Sequence, residues 1–75
     1  MNNKDFITNY LTPFVKAIDE NILDVRYIHR IAPYELVNIT YKSSKFKSFD
    51  ITGKSRREIS RMIIDYILTN GEETA

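Results

Sequence analysis

The sequence predicts an α+β domain of order α-β-β-β-α, a three-stranded antiparallel sheet with both helices on one face. Three observations predict it. Apolar residues recur with a helical period near both ends of the chain, whereas through the middle they alternate with a period of two. Proline and serine pairs break the alternating region into separate runs. The 75 residues suffice for one domain with one small core.

The first helix is expected over about residues 3–20. Phe6, Ile7, Tyr10, Leu11, Phe14, Val15 and Ile18 form one apolar stripe, while Lys4, Asp5, Thr8, Asn9, Lys16 and Asp19 fall elsewhere. Asn2 or Asn3 can cap its start. Pro13 lacks an amide hydrogen and crowds the preceding turn. Because the stripe keeps its phase across Pro13, one kinked helix is expected. The alternative is two short helices, with Thr12 capping a second that has Pro13 in its first position.

Three strands follow. Leu23, Val25, Tyr27, His29 and Ile31 alternate with Asp24, Arg26, Ile28 and Arg30, and the former set is expected to face inward. Ala32-Pro33 ends that strand. In the second, Tyr34 to Lys42, the residues Val37, Ile39 and Tyr41 share one face. Ser43-Ser44 make a hairpin turn. The third runs from Lys45 to Thr52, with Lys47, Phe49 and Ile51 opposed to Phe46, Ser48 and Asp50.

The last helix has the clearest start. Ser55-Arg56-Arg57-Glu58 fits a capping box, in which Ser55 accepts from the Glu58 amide and Glu58 reaches back to the Ser55 amide. Ile59, Met62, Ile63, Tyr66 and Ile67 form its apolar stripe, and Asn70-Gly71 should close it. Residues 1–71 are therefore expected as one domain and 72–75 as a flexible acidic tail.

Composition narrows the function. The chain has no cysteine, which excludes disulfides, thiolate catalysis and cysteine-ligated metal sites. No apolar run approaches the roughly 18 residues of a membrane span, and Met1-Asn2-Asn3-Lys4-Asp5 is not a secretion leader. A cytoplasmic protein without a membrane partner is expected. The bias toward Ile, Asn and Lys is that of AT-rich coding DNA, as in low-GC bacteria and their phages.

Two surfaces stand out. Lys42, Lys45, Lys47, Lys54, Arg56, Arg57 and Arg61 face only Asp50 and Glu58 in the same stretch, giving it a charge of about +5 that the overall +1 conceals. Such a stretch can hold phosphates, or it can be a solvated face whose lysines blunt an edge strand. Arg56 and Arg57 oppose the helix dipole, a conflict that an anion relieves. The second surface is the open sheet face, where Ile28, Tyr34, Leu36 and Phe46 are expected to meet as a protein interface. A register error of one residue would exchange the two faces.

No catalytic set is visible. His29 lacks a nucleophile or paired acid at a recognisable spacing and is expected to be a partly buried structural residue. The carboxylates Asp19, Glu20, Asp24, Glu35, Asp50, Glu58 and Asp65 form no acid–base pair, and no metal ligands or cofactor motif appear. Gly53-Lys54-Ser55 matches the end of a P-loop, but Ser48 stands where its first glycine belongs.

The element order and Thr52-Gly53-Lys54-Ser55-Arg56-Arg57-Glu58-Ile59 resemble the double-stranded RNA-binding domain. The resemblance implies phosphate contacts for Lys54, Arg56 and Arg57, and a second contact from the His29–Pro33 loop. The chain departs from that family in Ile59-Ser60-Arg61-Met62-Ile63-Ile64, where the family is alanine-rich, and in lacking its glycine-proline loop motif. Over most of its length the chain also resembles small accessory proteins of Gram-positive phages and prophages. That likeness rests on Asp5-Phe6-Ile7, Tyr10-Leu11, Pro13-Phe14 and Asp50-Ile51-Thr52-Gly53-Lys54-Ser55. It implies a non-enzymatic protein that binds, and can inhibit, a host protein. The alternative is nucleic-acid binding through the basic hairpin and helix start. A homodimer through the open sheet is compatible with either.

Overall fold

The computed structural model describes residues 2–69 and 71–75. Asn2 starts the first helix by accepting the Asp5 amide on its side-chain oxygen at 2.8 Å. The helical rod over residues 3–18 has three parts: α1 (Asn3–Phe6), a π-helical turn (Ile7–Leu11) and α2 (Thr12–Ile18). The junction residues Ile7, Leu11 and Thr12 keep right-handed helical angles, so the rod is continuous. The expected single helix through Pro13 therefore occurs, ending at Ile18, and the alternative of two helices split at Thr12 does not. Pro13 stands in the first turn of α2, Thr12 makes no side-chain cap, and the Thr12 amide donates to Ile7 O. The wider turn tolerates the ring of a residue that has no amide hydrogen to offer. The Thr12 hydroxyl adds a bond to Ile7 O at 2.7 Å.

The π turn has a packing consequence. In a regular α-helix, residues four apart drift by about 40°. The extra residue cancels that drift, so Ile7, Leu11 and Val15 stack as one buried row. Phe6, Tyr10, Phe14 and Ile18 stack beside it as a second row. The single stripe expected from the sequence is thus two rows, and only the first is core.

The sheet is antiparallel in the order β1-β2-β3, with β1 at Ile22–Ile28, β2 at Leu36–Tyr41 and β3 at Phe46–Asp50. β2 follows its expected phase, with Val37, Ile39 and Tyr41 fully buried. β1 does not. Its register shifts between Ile22, which pairs with Tyr41, and Asp24, which pairs with Thr40. The bulge leaves Leu23 exposed and lets both Ile22 and Val25 reach the core. β1 then stops at Ile28, so His29 and Ile31 are exposed loop residues rather than inward-facing strand residues. That loop contains a cis Ala32–Pro33 bond. Ser44 takes a left-handed φ of 77° in the hairpin turn between β2 and β3.

Helix α3 spans Arg56–Thr69. Both bonds of its capping box form at 3.1 Å. Ile59, Ile63 and Tyr66 seat it on the core formed with Ile51 and the rod's inner row. The Arg56 guanidinium lies 6.0 Å from the Phe6 ring centroid, so the rod and α3 begin at the same end of the domain. Gly71 has φ of +54°, the left-handed geometry expected after the helix, while Asn70 lies outside the described residues. Residues 72–75, expected as a flexible tail, carry part of a 3-10 turn, Gly71–Thr74. The Ser43 hydroxyl donates to Glu72, and Ala75 packs against the core.

Candidate functional site

The rod's outer row is an apolar feature outside the core. Tyr10, Phe14 and Ile18 are 58%, 51% and 43% exposed. With Leu11 and Phe6, the first two face Ser60 and Ile64 of α3 across a groove of about 280 Å³, which Ile18 does not line. At 100° per residue, Ile64 and Leu68 lie about 100° and 140° around α3 from the buried Ile63. They are therefore off its core stripe, and Leu68 is 72% exposed. The sequence expectation missed this groove. The available signal was surplus: seven apolar positions on a short helix are more than one sheet face can cover, and Ile64 and Leu68 fit no stripe facing that sheet.

The second apolar feature lies at one end of the open sheet face. Ile28 pairs with Leu36, and these two meet Ile31, Tyr34 and Arg30 around a cleft of about 180 Å³. Three of the four expected interface residues, Ile28, Tyr34 and Leu36, are thus together. Phe46 is on the expected face but at the other end. It pairs with Thr40, four residues along β2 from Leu36, or about 13 Å away. The row Arg26–Asn38–Ser48 separates them, and Asn38 Nδ2 donates to the Ser48 hydroxyl at 2.9 Å.

The seven basic residues do not form one patch. Lys42 and Lys45 flank the hairpin turn, and Lys47 stands on β3 opposite Ile39, at the uncovered sheet edge. Lys54, Arg56 and Arg57 lie beyond the other end of β3, a strand spanning about 17 Å. Arg61 is one turn further along α3. The carboxylates near the helix start are engaged locally. The Ser55 amide and hydroxyl hold the Glu58 carboxyl below its usual range, and the Thr52 amide and hydroxyl do the same for Asp50.

A polar cluster ties the rod to the sheet. Glu35 accepts from the Tyr27 hydroxyl and from Asn3 Nδ2 at 3.2 Å, while its amide donates to the Thr52 hydroxyl at 3.0 Å. Burial, then the bond to Glu35, pushes the Tyr27 hydroxyl up to about 12. These residues come from four separate segments, so no local spacing announces them. Burial, reinforced by Tyr66 and by the charges of Asp19 and Glu72, raises the Tyr41 hydroxyl above its ordinary value. His29 is exposed, correcting its expected partial burial, and sits edge-on to Tyr27 at 6.2 Å. Gly53 takes φ of +72° in a tight turn before α3.

No helix of the described residues is long and apolar enough to cross a membrane, and no three of their His, Asp or Glu side chains converge as metal ligands. No family model matches the chain, and no curated protein or solved structure is significantly similar to it.

Proposed function

We propose that the chain is a protein-binding module without catalytic chemistry, an accessory protein of the phage type that acts in the cytoplasm by binding a host protein. The observation that carries this reading is the surplus of exposed apolar side chains. Among the described residues, nine large ones are exposed against a core of twelve. They gather chiefly at the interhelical groove and at the Ile28–Leu36 end of the sheet. Contiguous patches of that kind on a small domain mark surfaces that a partner covers.

A second reading, nucleic-acid binding, is favoured by one observation: Lys54, Arg56 and Arg57 share the end of the domain where both helices begin. Cations there oppose the helix dipoles unless an anion joins them.

Affinity capture from a bacterial lysate, run with and without nuclease, separates these readings. A protein retained in both arms, and lost with either Phe14→Asp or Leu36→Asp, is the expected result. Retention that nuclease abolishes, and that falls steeply with salt, would establish the nucleic-acid reading instead. Retention unaffected by either variant would contradict an apolar binding surface.

A further inference from the structure

We infer that the groove between the rod and α3 receives an acidic amphipathic helix of the partner protein, an inference that rests on the protein-binding reading above. The shape argument comes from the rows. Phe6, Tyr10 and Phe14 present a ridge with a spacing of four, and Ile64 forms the facing wall. From Phe6 to Phe14 the ridge along the groove runs about 12 Å, or some two helical turns. A helix bearing apolar residues at spacings of three and four fits such a trough.

The charge argument selects an acidic one. Arg57 and Arg61 are exposed and stand three residues before Ser60 and Ile64, on the groove's α3 rim. Neither makes an ion pair among the described residues, where Arg26–Asp24 at 3.8 Å is the pair formed. The Arg56 guanidinium lies over Phe6 at the groove's end. Opposing acids are few. Glu58 is engaged by the Ser55 cap, Asp65 lies four residues after Arg61 and about 100° around α3 from Ile64, and the row beside the rod's ridge (Asp5, Asn9, Pro13, Ala17) carries one charge. Arg57, seven residues before Ile64 and so about 20° from it around α3, is the rim cation nearest the groove, with Asp65 opposing Arg61 further round, so a flanking Glu or Asp gains most beside Arg57.

The test uses the full chain and two cross-linked helical peptides of about 16 residues, enough to span the ridge. Both carry leucines at spacings of three and four; one is flanked by glutamates and the other by lysines. Fluorescence anisotropy should show the glutamate peptide binding at least tenfold more tightly, with affinity falling as salt rises. R57E/R61E should reverse the preference, and Y10S/F14S should remove binding of both peptides while leaving the circular dichroism unchanged. Equal binding of the two peptides, a preference unmoved by R57E/R61E, or binding of neither would overturn the inference. Concentration-dependent dimerisation abolished by Phe14→Ser would also overturn it, because a second copy would then fill the groove. Failure here leaves the broader reading intact if lysate capture of a protein is lost with Leu36→Asp alone; capture of no protein defeats that reading itself.

Discussion

The two rows of the helical rod, one aliphatic and one mainly aromatic, differ most in burial. Ile7, Leu11 and Val15 are fully or almost fully buried against the sheet, while Tyr10, Phe14 and Ile18, one position earlier in each repeat, stay about half exposed. Both rows are apolar, both have a spacing of four, and both belong to the same stripe in the sequence. The difference teaches that periodicity measures how much apolar face a helix offers, not how much its own domain uses. The sheet has room for one row. The other lines the groove with Phe6, Tyr10 and Phe14.

Substitutions can break or sharpen that contrast. The largest effect is expected from Ile7→Ala, which leaves a cavity under the inner row and should lose about 3 kcal/mol in urea unfolding. A loss below about 1 kcal/mol would mean that the inner row does not anchor the fold. Tyr27→Phe should come next, at about 1–2 kcal/mol near neutral pH, because it removes the bond to Glu35 that fixes the rod's start. It also carries a pH signature. The folded Tyr27 hydroxyl titrates above its ordinary value of 10.0, at about 12. Its contribution is therefore complete below pH 10 and lost as pH rises through about 12. Urea midpoints across that window should fall less steeply in Tyr27→Phe than in the parent.

Ser55→Ala should lose about 1 kcal/mol through the missing cap on α3. Glu58 and Asp50 have folded values below the ordinary carboxyl range. Their contributions are present above that range and lost as pH falls through the lowered values. Thermal unfolding between neutral and acidic pH should show that loss, with a smaller share of it in Ser55→Ala. An unchanged acid profile in that variant would separate the Glu58 shift from the cap.

The parts of the fold legible in the sequence were those set by local chemistry or by one clear phase. The Ser55–Glu58 cap is contained in four residues, and β2 has a single apolar face, so both read directly. β1 misled because Ile22 and Leu23 are adjacent apolar residues. Only the pairing of Ile22 with Tyr41 decides which one faces inward, and that pairing lies in another strand. The π turn was equally hidden, since its benefit is the alignment of rows packed on a sheet. At the surface, strand phase placed Ile28, Leu36 and Phe46 on the correct face. It could not measure distance along the strands, which separates Phe46 from the others. The basic residues, close in sequence, diverge because β3 and α3 carry them to different parts of the domain.

The central claim, that the outer row is surplus to folding, is tested most directly by urea unfolding of Y10S/F14S beside Ile7→Ala. The account expects the double variant to lose less than Ile7→Ala, because both side chains are already about half exposed and their removal opens no enclosed cavity. A loss as large as that of Ile7→Ala would show that both rows serve the core and that the groove is part of the fold's own packing.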